Sequence, residues 1–447
     1  MTGQVMKHDH GGDSYKKNSI TLGGAVAMGT GVMIGAGIFA LTGQIAELAG
    51  PFFPIAFIIG AVVTGFSSYS YIKMSNAWPS AGGIGMILQK CYGPGGIAAG
   101  GALLMALSMV IAESLVARTF ATYLLRPFSI DGGPLVPILA VGVILFAYLI
   151  NIAGNRSVGL FSIVMAAIKI GGIALFGIAA LWSSGFSFAA ASQSTGNFGA
   201  TGFVASVALA ILAFKGFTTI TNSGAEITDP NRNVGRAIIL SIALCVVVYL
   251  LVAFGVGSSL TIDEIISAKD YSLAEAAKPA LGQVGFLLTV LLAVVATASA
   301  VLASVFAVSR MLAMLTDMKM IPHSHFGMSG PIQRHTLVYT VVIASFLAVF
   351  FDLSRIASLG AFFYLTMDML VHWGVWRYRR AEIGASGVVI LAALGFDAIV
   401  LVAFTAMKLQ SDPAIVAYAA LTIAGVFLFE RAYLSRWLAP QDEPAHS

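Results

Sequence analysis

Charge is what this chain has least of. Of its 447 residues, 10% are Asp, Glu, Lys or Arg and 58% are hydrophobic, with a mean hydropathy of +0.91. A soluble domain carries about 25% charged residues, so a water-soluble fold of this length is excluded. Cysteine is nearly missing: Cys91 and Cys245 lie in or beside apolar segments and offer no disulfide framework. A Walker phosphate loop is missing too, which excludes direct drive by ATP. No nucleophile–base pair stands out, so an enzyme is not expected. The pair His323 and His325 has no cysteine near it, and the nearest carboxylate at hand is the distant Asp317. Neither a metal site nor a cofactor is expected. The net charge of +4 is accounted for by loop residues and calls for no nucleic-acid partner. The first apolar run is too long for a signal-peptide core and follows a polar start with His8, Asp13, Lys16 and Lys17.

What the chain has is apolar length. A helix needs about 20 apolar residues to cross a bilayer, and on that rule the chain yields about twelve spans. They run over residues 20–48, 52–75, 95–125, 134–153, 158–183, 201–227, 236–260, 284–315, 336–351, 356–376, 387–407 and 413–434, and residues 263–278 read as an amphipathic helix between spans. Basic loop residues set the orientation. Lys7, Lys16, Lys17, Lys73, Lys90, Arg156, Arg232, Arg236, Lys319, Arg334, Arg377, Arg379, Arg380, Arg431 and Arg436 fall on one side, against Arg126, Lys269, Lys278, Arg355 and Lys408 on the other. Both termini are therefore expected in the cytoplasm, with the chain multi-pass in the plasma membrane.

Two spans are interrupted. The first carries Gly29, Gly31, Gly35 and Gly37 around Thr30–Phe39, and each glycine costs a helix about 1 kcal/mol against alanine. The sixth turns polar after Phe214: Lys215, Gly216, Thr218, Thr219, Thr221, Asn222, Ser223 and Gly224 occupy its middle. The glycines alone also suit close helix packing, and the polar run alone also suits a face lining a bundle interior. Paired interruptions at corresponding places in two halves point instead to a transporter binding site. Freed N–H groups at a half-helix N-terminus suit a carboxylate, and a C-terminal end suits a cation.

Five stretches then carry a resemblance. Ile34-Gly35-Ala36-Gly37-Ile38-Phe39 resembles the first-helix motif of the amino acid–polyamine–organocation permeases. Pro79-Ser80-Ala81-Gly82-Gly83 resembles their loop after the second helix, and Phe214-Lys215-Gly216-Phe217 their sixth-helix break. Glu226–Pro230 with Arg232, Asn233 and Arg236-Ala237-Ile238 resembles the run that follows, and Ser309-Arg310, Asp317 and Pro322 the end of the eighth helix. The resemblance covers nearly the whole chain. It implies an all-α membrane protein of the LeuT type, with two inverted five-helix repeats, two accessory helices, and the first and sixth helices broken. The segments are then a tail over 1–19, repeats over 20–183 and 201–380, accessory helices over 384–435 and a tail over 436–447. It also implies substrate contacts at Ile34, Gly35, Ala36 and Gly37 for a carboxylate, and at Ala213, Phe214, Lys215, Gly216 and Thr218 for an ammonium.

Ionisable residues inside a membrane are functional candidates by default. Lys169 lies mid-span in the fifth segment; the resemblance places such a lysine where sodium-coupled relatives hold an ion. It is the expected proton-coupling residue, with Glu113 as partner and the proton, not sodium, as coupling ion. A snorkelling stem is the plainer alternative. Lys215 departs from the family pattern. It is expected to meet an acidic side chain, to replace a cation at the site, or to plug the carbonyls of the unwound turn, and if it faces the site it disfavours cationic substrates. Arg118 stands five residues from Glu113, off its helical face. Asp368 and His372, at i and i+4, are expected to hydrogen-bond each other as a satisfied structural pair, with a proton relay as the functional alternative and Asp397 peripheral to transport. Lys73 replaces the acid of the family's second-helix end and Ala77 its arginine, so a cytoplasmic gate is expected between Lys73 and Glu226 or Asp229. The expected function is import of an amino acid by proton symport with alternating access. An exchanger, or a carrier of an organic acid or inorganic ion, is the alternative; a non-transporting sensor or a channel fits less well, because the tails are short and no continuous polar stripe runs along several spans.

Overall fold

The computed structural model describes residues 18–80, 82–130, 132–153, 158–192, 196, 198–320 and 332–437. The N-terminal lysines Lys7, Lys16 and Lys17, and Ala81, Arg156, Pro322, His323 and His325, lie outside them. Every regular element among the described residues is helical. Ten helices are long and apolar enough to cross a membrane, and two shorter apolar helices, Leu22–Met33 and Arg334–Phe350, accompany them.

Local chemistry sets where the elements begin and end. α1 (Leu22–Met33) starts at Thr21, whose hydroxyl accepts the Gly24 N–H at 3.1 Å. A π-helical turn, Ile34–Ile38, joins it to α2 (Phe39–Ala49). α3 (Phe53–Ala77) has Pro54 in its first turn, where no N–H is missed. α4 (Gly83–Tyr92) follows the Pro-Ser-Ala-Gly-Gly loop, then α5 (Gly96–Leu125), α6 (Leu135–Ala153), α7 (Val158–Ser183) and the single turn α8 (Ala189–Ser192). The sixth span divides into α9 (Ala200–Phe214), a 3-10 turn at Lys215–Phe217, α10 (Thr218–Asn222) and a second 3-10 turn at Gly224–Glu226. α11 (Pro230–Ser259) follows Asp229, which has φ of 48°.

The expected amphipathic segment divides. α12 (Ile262–Ser267) carries a capping box between Thr261 and Glu264. The remainder opens α13 (Ser272–Asp317), which kinks at Gly282 with φ of 62°, after Pro279. α14 (Ile332–Phe350), α15 (Leu353–Gly374) with a π turn at Val375–Arg379, α16 (Gly387–Ser411) and α17 (Pro413–Trp437) complete the chain.

Burial sorts these helices into layers. In α5 and in α9–α10, 83% of the apolar window is inside the bundle, against 22% in α17. Trp182, Leu421 and Val388 turn 71–79% of their surface outward, and this apolar exterior suits lipid. Both interruptions fall where the sequence places them. They differ from a simple gap, because the chain stays wound: the first is a π turn and the sixth a 3-10 turn. π turns inside α-helices are frequent at functional sites.

Candidate substrate and coupling site

The two interruptions touch backbone to backbone, which explains the glycines on each. A β-carbon on Gly37 would sit 2.8 Å from the Ala213 carbonyl, and one on Gly216 would sit 2.8 Å from the Met33 N. The small-residue packing reading therefore holds at this spot, and the two interruptions are brought together there. Tyr249 of α11 ties the contact together. Its hydroxyl lies 2.7 Å from the Met33 carbonyl and 3.0 Å from the Ala213 carbonyl, so one proton is shared between the two interrupted helices. Phe214 packs on the Tyr249 ring at 4.8 Å. Sequence reasoning missed Tyr249: a tyrosine within an apolar span marks a polar partner but does not say which.

Between α1, α2, α5, α9 and α13 lies a cavity of about 30 Å³. That is room for a water or two, so the site is closed in this conformation. Met33, Gly37, Ala112, Ala213, Gly216 and Ala300 form apolar walls, and Lys215 and Ser304 supply the polar side chains. Of the expected substrate contacts, Gly37, Ala213, Lys215 and Gly216 line it. Ile34 and Phe214 are buried in the surrounding core, as is Gly35. Ala36 lies in the π turn. Thr218 turns back to the Lys215 carbonyl at 2.9 Å, and Thr219 to the Gly216 carbonyl at 2.7 Å. The Thr218 N–H also donates to both carbonyls, so these two acceptors on the sixth helix are satisfied within the turn.

The two buried lysines are held differently. A β-carbon on Gly35 would lie 3.6 Å from the Lys169 ammonium and 3.5 Å from the Ala296 carbonyl. Lys169 therefore sits between α7, the π turn and α13, at 4% exposure. The expected pairing with Glu113 is not formed, since neither Glu113 oxygen has a hydrogen-bond partner. The physical reason is packing: α7 lies against α1, α11 and α13, whereas α5 lies against α6, α13, α14 and α15. Arg118, also on α5, donates to the Ala348 carbonyl at 2.7 Å. Lys215 meets neither an acid nor the carbonyls of its own turn. It crosses to α5 and donates to Ser108 O and Oγ, both at 2.8 Å, below the Tyr364 ring at 5.9 Å.

The expected gate is corrected as well. Lys73 points away from the sixth helix and donates to the Gly384 carbonyl at 3.1 Å, beside the Tyr69 ring. The partner of Glu226 is Arg310 of α13. The same end is zipped by main chain: Ile20 N donates to Glu226 O and Thr228 N to Ile20 O, each at 2.9 Å. Asp229 serves as the left-handed residue that opens α11 and takes the Asn233 N–H on its carbonyl at 2.9 Å. The Pro-Ser-Ala-Gly-Gly loop docks here too. Gly83 has φ of 48°, a β-carbon on it would collide with Asn222, and Ile84 N donates to the Asn222 side chain at 3.3 Å.

An apolar helical bundle with a closed central cavity between two interrupted helices defines a membrane-embedded carrier. The chain belongs to the amino acid permease family, whose profile matches residues 20–429. It is 29% identical over 385 residues to the inner membrane transport protein YbaT of Escherichia coli K12, covering 85% of this chain and 88% of that one. It is 30% identical over 362 residues to an uncharacterised protein of Methanocaldococcus jannaschii, covering 80% and 82%. It is also 27% identical over 403 residues to the branched-chain amino acid permease BcaP of Lactococcus lactis, covering 83% and 84%.

Proposed function

We propose that this protein imports a neutral or acidic amino acid across the plasma membrane by proton symport, with both termini in the cytoplasm. The observation that carries the coupling is the Lys169 ammonium against Gly35 and the Ala296 carbonyl. A lysine there responds to movement of the π turn, because the turn and α13 form two walls of its pocket. An ammonium there attracts the carbonyl dipoles of these walls and a neutral amine does so less, so a change of protonation biases how the walls sit. Two five-helix halves, 20–183 and 201–380, move around the cavity, with 384–435 as an accessory pair.

Lys215 supports the choice of substrate class. Lys215 is one of the lining residues, its ammonium is held by Ser108 of α5, and like-charge repulsion disfavours a second cation near it. Closure at the cytoplasmic end rests on the Glu226–Arg310 pair and the Ile20–Ile227 main-chain bridge. Proteoliposome uptake of a radiolabelled amino acid panel, with and without an inward proton gradient, tests the reading. Gradient-driven uptake in the wild type that Lys169→Ala loses is the expected result. Uptake that ignores the gradient and needs amino acid inside contradicts symport and makes the protein an exchanger. No amino acid uptake at all contradicts the substrate class.

A further inference from the structure

A second polar centre lies outside the cavity, where α3, α15 and α16 meet. Asp368, His372 and Asp397 are each fully buried. His372 Nε2 stands 3.5 Å from Asp368 Oδ2 and 3.4 Å from Asp397 Oδ2, and the three ligand-type atoms lie within 4.8 Å of one another. The outer atoms are positioned by α3. Ser67 donates to Asp368 Oδ2 at 2.6 Å, Tyr71 donates to Asp368 Oδ1, and Ser70 Oγ faces His372 Nδ1 at 2.9 Å. The inner atoms are not satisfied: both Asp397 oxygens and His372 Nε2 have no hydrogen-bond partner. No Lys or Arg pairs with either carboxylate among the described residues. Asp397, expected to be peripheral to transport, joins this cluster because α16 packs on both α3 and α15.

We propose that Asp368, His372 and Asp397 bind a divalent cation of the zinc class, which fastens α16 to α15 and, through Ser67, Ser70 and Tyr71, to α3. One ion at the centre satisfies all three unpaired inner atoms. Hydrogen bonds between the side chains leave both Asp397 oxygens empty. Zinc–nitrogen and zinc–oxygen bonds of about 2.0–2.1 Å give a tetrahedral edge of about 3.4 Å, the spacing of His372 Nε2 from each carboxylate. A ligating imidazole whose other nitrogen is held by a hydrogen bond is the usual outer arrangement. Two carboxylates and a neutral imidazole match the charge of a divalent ion, which offsets the cost of burying them unpaired. This departs from the expectation that the protein has no metal site.

The test uses the full chain purified in detergent, stripped with chelator and reloaded with Zn²⁺ or Co²⁺. Mass spectrometry is expected to find about one zinc per chain after excess metal is removed, and Co²⁺ to give the strong visible bands of a tetrahedral N/O site. Asp397→Asn and His372→Gln are expected to lose both signals. Ser70→Ala, which leaves every ligand in place, is expected to weaken Zn²⁺ affinity about 10-fold through the imidazole. Retention of zinc by Asp397→Asn identifies an adventitious ion and overturns the proposal. Absence of stoichiometric metal and of cobalt bands in the wild type overturns it too, leaving a cluster that holds protons only. If a ligand variant does not fold, the wild-type cobalt spectrum and the Ser70→Ala titration still decide.

Discussion

Lys169 and Lys215 are both buried cations in the central bundle, yet their surroundings assign them different work. Lys215 spends two of its three donors on Ser108, in fixed geometry on α5. Lys169 has no hydrogen bond to its ammonium among the described residues and faces the π turn across the space a side chain on Gly35 would fill. A lysine bound to a static neighbour is a structural charge that shapes a cavity. Under the proposed symport, one whose walls include the π turn is the lysine placed to gain and lose a proton.

That contrast is sharpened by removing the contact between the interrupted helices altogether. Gly37→Ala puts a methyl 2.8 Å from the Ala213 carbonyl, where backbone and not a flexible side chain must yield. Overpacking of this kind costs about 1–3 kcal/mol, and uptake is expected to fall more than 10-fold whatever the gradient. Next in size is Lys215→Met. It is expected to leave gradient dependence intact and to admit arginine and lysine, read as competition in the amino acid panel. Retained exclusion of cationic substrates in Lys215→Met would contradict the assignment of Lys215.

Tyr249→Phe removes a hydroxyl shared by two buried carbonyls. Leaving them without that donor costs about 1–3 kcal/mol, to be read as a lower Tm in detergent. Uptake should fall less than in Gly37→Ala. The smallest effect belongs to the surface. Arg355 and Asp412 pair at 2.7 Å at the α15–α17 end, and hydrogen bonding from Arg355 holds the Asp412 carboxyl below the usual carboxylate range. A depressed carboxyl gives stability that is present above its unfolded value, about 3.9, and is lost as pH falls through the folded value. Asp412→Asn should therefore lower Tm only slightly between pH 5 and 8, since an exposed pair contributes under about 1 kcal/mol. The gap should close in acid.

Glycine content placed the first interruption, because each glycine weakens a helix wherever its neighbours lie, and a polar run in an apolar span placed the sixth. Whether the chain then unwinds or takes a π turn depends on what packs against it. Met33 and Ala213 press so closely here that the chain stays wound. That Lys169 is buried was legible, because a lysine mid-span must be enclosed by protein. Its pairing with Glu113, and that of Lys73 with Glu226, were not legible: charge alternation gives the side of the membrane, but not the direction a residue faces around its helix axis. Arg310 was in a recognisable motif, and only the packing of α13 beside the sixth helix makes it the partner of Glu226. The partners of Asp397 were hidden for the same reason, since an aspartate in an apolar span declares that it needs a partner without naming one.

The most direct test of the central claim measures both lysine variants side by side in proteoliposomes, comparing uptake driven by an inward proton gradient with exchange at equal pH. The account predicts that Lys169→Ala exchanges substrate but no longer responds to the gradient, while Lys215→Met responds as the wild type does. Gradient-driven accumulation by Lys169→Ala, or its loss in Lys215→Met alone, would contradict the account.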